Sequence, residues 1–473
     1  LAGVDATSGD LRSDAKRDGA RPDSSKDVIG DLPKGDLAKS DLKTDLPTAD
    51  LPRADLKADL PKLDVKPCGN GLLDSGEECD GSTFPAGASC FSYKRNGGTL
   101  GCTNACTVDL SKCCLAAVPP VTTPPVARIV SPTVGNNSTT QPLCTPYKTI
   151  TAALQGAPSG SVVWAMPGVY SAATNGELFP IVLPSTVSLL GDEATRGLGN
   201  SSSGGPTLVS GSGPTAAGPA TFQTSNTAKL SGFRIVGPTT TGAAIYVLGQ
   251  NTNISLNTLE GHGGVRADKS SGSNCPTILQ NTINVSAQGV ISDCATTQIQ
   301  SNTFNGTASG VLHLAGSGAI HGNTFNGCQD FGLQIHAGAP PVTQNTFTGG
   351  AGAFSSAAIQ IGTTAGTASA NPRIRGTVFP ALLTIYGVRI VGNAKPDLGT
   401  GSDPGNNKFG ATRVELVTPS VTIDAIGNDW AAPSIATPTC SPPLPPGSGQ
   451  VQVVGAGSAL VYGTGGGQSC HNP

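Results

Sequence analysis

The chain has 473 residues, a formal net charge of −3, 64 glycines and 37 prolines, with only 4% aromatic and 12% charged residues. That length exceeds one ordinary domain, and the scarcity of charges and aromatics beside so many turn formers excludes a helical bundle in favour of an all-β or solenoid chain. A nearly neutral chain without blocks of like charge gives no basis for nucleic-acid binding, and no apolar run approaches the roughly 18 residues of a transmembrane helix.

Residues 1–67 lack aromatics and carry an Asp-Leu beat, "DLPKGDLAKSDLKTDLPTADLPRADLKADLPKLD". Leucine gaps of four and five, broken by prolines, do not make a helical face, so the segment is expected to be an extended, disordered spacer. The only methionine is Met166, so Leu1 is not a translational start and the N-terminus is expected to be processed or truncated. The opening "LAG" is similar to the start of a bacterial lipoprotein signal box, with Val4 where the lipidated cysteine would stand. Thirteen cysteines, seven of them between Cys68 and Cys114, point to an oxidising compartment: extracellular or the outer cell surface, with any lipid anchor supplied by a segment outside this sequence.

From Cys68 the texture becomes "CGNGLLDSGEECDGSTFPAGASCFSYKRNGGTLGCTNACTVDLSKC". Cys68, Cys79, Cys90, Cys102, Cys106 and Cys113 lie too densely for a hydrophobic core, so residues 68–114 are expected to be a disulfide-held module. Cys114 stands just outside the pattern, with Cys144 as a partner on offer. Asn70, Asp74, Glu77 and Asp80 gather hard oxygen ligands in one glycine-bearing loop, which suits calcium, although the bidentate terminal glutamate of the well-known calcium loops is missing and a solvated acidic turn reads equally well. The whole module resembles the cysteine-rich repeat of secreted and surface proteins of myxobacteria, through "CGNG", "GEECDG" and "GGTL" with its following cysteines.

Residues 115–143, rich in Pro, Thr and Ser, read as a stiff linker. "TPYKTITAALQG" then offers Thr145 as N-cap, Pro146 at the first helical position, Ile150, Ala153 and Leu154 on one face and Gly156 as stop: a short helix that would plug the end of a solenoid.

The solenoid itself is announced by "NTINVSAQGV", "NTFNGTASGV", "NTFNGCQDFG" and "NTFTGGAGAF", which begin at Asn281, Asn302, Asn323 and Asn345. An apolar residue stands three before each Asn (Ile278, Ile299, Ile320, Val342) and two after it (Ile283, Phe304, Phe325, Phe347). No segment is long enough for a helical repeat, so a coil of this length must climb one strand spacing, about 4.8 Å, per turn. Asn257, Asn281, Asn302, Asn323 and Asn345 are then expected to stack as a ladder of amides, continued by Thr377, Asn407 and Asn428. The strings "YKTITAAL", "VVWAMPGVY" and "GELFPIVLPSTVSLLGDEA", followed by the repeated "NTF", resemble the pectin-lyase-like right-handed β-helix proteins, specifically a branch of unknown function found in exported proteins. The resemblance covers about residues 144–430 and implies an all-β, right-handed single-stranded parallel β-helix; residues 431–473 read as a Pro/Gly-rich extension.

Aligned on glycine, "GVRADK", "GVISDC", "GVLHLA", "GLQIHA" and "GVRIVG" place Val265, Val290, Val311, Leu333 and Val388 inward. Arg266, Asp268, Asp293, Gln334 and His336 then face outward, with Asp268 and Asp293 neighbours in adjacent coils, His313 inward beside Ser292, and Leu314 interrupting the acidic line. The resemblance implies that such acids could hold calcium while Arg266 or Lys269 takes a sugar proton, or that aspartates flank a glycosidic bond. "GHG" at Gly261–Gly263 is similar to a polygalacturonase motif, but "NTLE" replaces that family's "NTD". Simple solvation of the outer strand face is the plainer account of these charges. His262, His321 and His471 share no metal-ligand spacing, and no nucleotide loop is present. Cys275 with Cys294, and Cys440 with Cys470, are further disulfide candidates, leaving Cys328 as the odd thiol. The expected function is non-catalytic display of a β-helix that binds polysaccharide or a surface protein. The alternatives are a polysaccharide lyase or glycoside hydrolase acting on acidic polysaccharide, and a purely structural spacer.

Overall fold

The computed structural model describes residues 68–90, 92–93, 95, 98–114, 122–124, 126–138, 144–200, 204–268, 274–349, 353–366, 368–379, 386–409, 413–430, 440–441, 451–462 and 469–472. The readings of residues 1–67, of Lys269, of parts of 115–143 and of most of 431–473 lie outside them.

Three-residue strands that read polar–apolar–polar bury only their middle side chain, so one strand cannot enclose a core; three faces together can. The chain accordingly climbs as a parallel β-solenoid. One coil gives Thr277–Leu279 to a ten-stranded sheet, Thr282–Val285 to an eight-stranded sheet and Gln288–Ser292 to a twelve-stranded sheet. Each pairs in parallel with the next coil's strand: Gln298–Gln300, Thr303–Asn305 and Ser309–His313.

Register stacks like on like. Ile254, Ile278, Ile299, Ile320, Val342 and Ile374 form one inward column, and Val265, Val290, Val311, Leu333, Ile359, Val388 and Val414 another. The third column becomes aromatic: Phe304, Phe325, Phe347, Phe379, Phe409 and Trp430 stack with centroids 4.6–5.2 Å apart. All are buried, each contributing about 1.5–3 kcal/mol of apolar transfer. The rings also explain the glycines of "AQGV" and "ASGV": a Cβ at Gly289 would sit 2.6 Å from Phe304 Cδ1, and one at Gly310 2.7 Å from Phe325 Cε1.

Between the ten- and eight-stranded sheets the backbone turns through a left-handed residue. Gln280, Ser301 and Gln344 have φ of 54–55°, and glycine fills the equivalent positions 322 and 376. The following Asn satisfies the turn. Asn302 Nδ2 donates to Ile278 O (2.8 Å) and Asn323 Oδ1 (3.1 Å), while its own Oδ1 accepts from Asn281 N (2.9 Å) and Nδ2 (3.0 Å). Asn281 and Asn323 repeat this pattern, Asn257 starts the column with its Oδ1 accepting from Phe233 N, Asn345 donates to Ile320 O, and Thr377 N and Asn407 hand the column on to Asn428.

Two readings of the N-terminal end need correction. Val126–Val130, inside the segment read as linker, is a strand paired with Val162–Ala165, so the sheet begins before residue 144. The helix spans only Ile150–Leu154 and its N-cap is Thr149, not Thr145, with Gln155 as C-cap. Tyr147 is the reason: its N–H donates to Ile129 O and its carbonyl accepts from Ser131 N, which holds Pro146 and Tyr147 extended. The freed helix N–H groups of Ile150 and Thr151 donate to the buried Glu177 carboxylate (2.8 and 2.9 Å), and Arg128 donates to the carbonyls of Ala153, Gln155 and Gly156. Among the described residues no helix is long and apolar enough to cross a membrane.

Candidate functional site

On the outer face of the twelve-stranded sheet, register places Tyr246, Arg266, Ile291, Leu312, Gln334, Gln360, Arg389 and Glu415 in one column. Alternation dictates this: Val265 and Val290 point in, so Arg266 and Ile291 point out. Beside Arg266 opens a recess of about 180 Å³ lined by His262, Gly263, Gly264, Arg266, Gln288 and Ile291, among others. Glycine at 263 and 264 is required by the close coils on either side, since a Cβ would lie 2.4 Å from Gly242 O and 2.1 Å from Gly289 O respectively.

Arg266 is held rather than free. Its Nε donates to Asp268 Oδ1 at 2.8 Å, and both side chains are about a third exposed or more. Tyr246, in the preceding coil, feels the same carboxylate: burial, then the Asp268 charge, push its phenol above the ordinary tyrosine range. Asp268 thus aims the guanidinium. An arginine so paired suits binding better than proton abstraction.

Asp293 follows Ser292, the register partner of Ala267, so it stands one coil from Asp268, and its N–H donates to Ala267 O at 2.9 Å. His313 lies in the next coil opposite Ser292 and is fully buried; its Nε2 is 3.4 Å from Gly316 O. Burial lowers its pKa, opposed by the Gly316 carbonyl and the Asp293 charge. His336, also lowered by burial, comes one coil later. Arg266, Asp268 and Asp293 are therefore brought to adjacent coils of one face, His336 lies two coils beyond Asp293, and Lys269 lies outside the described residues. His321 Nδ1 sits on Thr343 Oγ1 at 2.8 Å, on a different sheet.

In the cysteine-rich segment the bridges are Cys68–Cys106, Cys79–Cys102 and Cys90–Cys113, followed by Cys114–Cys144; Cys275–Cys294 joins two coils. Cys470 is disulfide-bonded, and the side chain of Cys440 lies outside the described residues. Cys328 is a buried free thiol pushed up to about 11 by burial, and it accepts from Thr307 Oγ1. The four residues singled out for calcium converge on one loop: Asn70 N donates to Asp80 Oδ2, Asn70 Nδ2 to Asp74 Oδ2, and Asp74 N to Glu77 Oε2.

Sequence reasoning passed over Tyr246 and Gln288. Aligning "AIYV" with "GVRA" on the inward Ile245 and Val265 would have put Tyr246 beneath Arg266. It also passed over Arg375, which joins Asp397 and Asp403 (2.6 Å each) across inserted loops and, together with Arg373, holds Asp403 below its usual range. No spacing in the repeat announces that cluster, because its members belong to the irregular coils.

A family described as "Protein of unknown function (DUF1565)" matches residues 133–318 and 293–435. No curated protein matches. Among solved structures, the catalytic unit of a thermostable GH87 α-1,3-glucanase from Streptomyces thermodiastaticus strain HF3-3 is similar over 71% of this chain and 69% of that one, with 15% identity and a TM-score of 0.42.

Proposed function

The chain belongs to the DUF1565 family of β-helix proteins, and on that premise we propose that it is an exported surface protein whose twelve-stranded sheet binds a glycan without cleaving it. The observation that carries this reading is the Tyr246–Asp268–Arg266 set. The Asp268 carboxylate, which also carries charge toward Tyr246, positions a half-exposed guanidinium at the rim of a mixed polar and apolar recess large enough for about one sugar ring. Arg266, His262 and Gln288 would supply the directional contacts, and an acidic sugar would complement the guanidinium.

In the same reading the β-helix is right-handed and the Ile150–Leu154 helix caps its N-terminal end. Residues 68–114 form a myxobacterial-type cysteine-rich module, supported by its three internal bridges. Residues 1–67 are a spacer. The disulfides are compatible with an extracellular location.

A rival reading, polysaccharide lyase or hydrolase, draws on the adjacency of Asp268 and Asp293, since two close carboxylates invite a shared cation. A glycan array read alongside product analysis separates the two. Binding that Arg266→Ala weakens by about tenfold, with no product formed, supports the binder. Unsaturated, ultraviolet-absorbing sugars or new reducing ends, lost in Asp268→Ala, would replace it with the enzyme. Neither binding nor product leaves the structural spacer.

A further inference from the structure

We infer that Glu77 and Asp80, in the cysteine-rich segment, form a calcium site. Asp80 is 1% exposed, yet only one of its carboxylate oxygens is engaged: Oδ2 accepts from Asn70 N at 3.0 Å, and Oδ1 is buried without a hydrogen-bond partner. A buried carboxylate oxygen left bare carries its full desolvation cost.

Glu77 shows the same deficit. Its Oε2 accepts from Asp74 N at 2.9 Å, whereas its Oε1 lies 3.2 Å from the sulfur of Cys106. Cys106 is bridged to Cys68, so that sulfur carries no proton and has nothing to donate. Ligand atoms of Glu77, Asp80 and Cys106 lie within 4.8 Å of one another. The Glu77 and Asp80 carboxylates thus lie close together, each with an oxygen that no protein donor serves, and a cation bound between them would serve both.

Ligand chemistry selects the ion. The oxygens are hard donors, and the one sulfur present is locked in a disulfide and is no thiolate, which disfavours zinc and suits calcium. The loop around them is already preorganised, since Asn70 links Asp74 to Asp80 and the bridge at Cys79 fixes the residue before Asp80. With two protein carboxylates, and water completing the shell, affinity belongs to the weak range of extracellular modules.

The test is calorimetric titration of CaCl₂ into the full oxidised chain after chelator treatment. One calcium should bind with a dissociation constant of about 10⁻⁴–10⁻³ M, and Asp80→Asn and Glu77→Gln should each weaken it by about tenfold or more. Because substitution of the buried Asp80 can disturb folding by itself, the partly exposed Glu77→Gln is the decisive arm, with the Cys68–Cys106 bridge verified by peptide mapping. Absence of calcium binding by the parent chain, unchanged binding in Glu77→Gln, or tighter binding of ZnCl₂ than of CaCl₂ to the oxidised protein each overturns the assignment.

Discussion

Asparagine at the coil corner does what no similar side chain can: in one short amide it donates to a carbonyl of the preceding coil and still both accepts from and donates to its stacked neighbours. Asn302 is 1% exposed, so its removal orphans several buried groups at once. Asn302→Ala should cost about 3–5 kcal/mol in urea unfolding. Asn305 stacks on Asn284 at 2.8 Å at the surface, and Asn305→Ala should change stability by less than about 0.5 kcal/mol. Two histidines give a pH test. Burial lowers the folded-state pKa of His313 and His336 below the ordinary histidine value of about 6.5. Below that pH the unfolded chain takes up protons that the folded chain refuses. Stability should therefore be full above about pH 6.5 and fall as the pH drops toward each folded pKa. Thermal melts from pH 7.5 to 5 should show this slope, and the double variant His313→Leu, His336→Gln should flatten it.

At the scale of elements, the rings of the eight-stranded sheet and the glycines of the twelve-stranded one are a single device, because each ring occupies the room a Cβ would need. Phe325 is stacked on both sides, at 4.9 and 4.7 Å. Phe325→Ala should therefore lower stability by about 3–5 kcal/mol, and Phe325→Leu by about 1–2 kcal/mol, in the same denaturation experiment. The coiled strands were legible in the sequence since stacking in register brings the Asn-Thr pair back at steps of 21, 21 and 22 residues from Asn281. Helix and strand boundaries near residue 145 were not, because they depend on Tyr147 pairing with Val130, a contact no local pattern encodes. The Arg266–Asp268 pair could be foreseen as an outward set by alternation. Its closeness to Tyr246 needed the register between coils, and the bare oxygens of Glu77 and Asp80 needed the bridges that surround them.

As a whole molecule the solenoid has nearest-neighbour energetics, each coil touching the one before and the one after. Protection should then vary along the stack. Amide exchange should be slowest between residues 277 and 348, where all three sheets are continuous, and faster in Thr422–Asp424, which belongs to a separate three-stranded sheet. Uniform exchange along the chain would mean that the coils unfold as one unit.

The amide column and the ring stack advance on the same 21-residue step from Asn281 to Asn302 to Asn323. Within this run a gene for this protein can therefore be lengthened or trimmed by a whole coil. Excising 302–322 would rejoin Ser301 to Asn323 with every later side chain still on its proper wall. Residues gained or lost elsewhere fall to the turns between strands, as the 22-residue step to Asn345 and the 24-residue step from Asn257 show, so the stacked rungs act as the fold's own ruler.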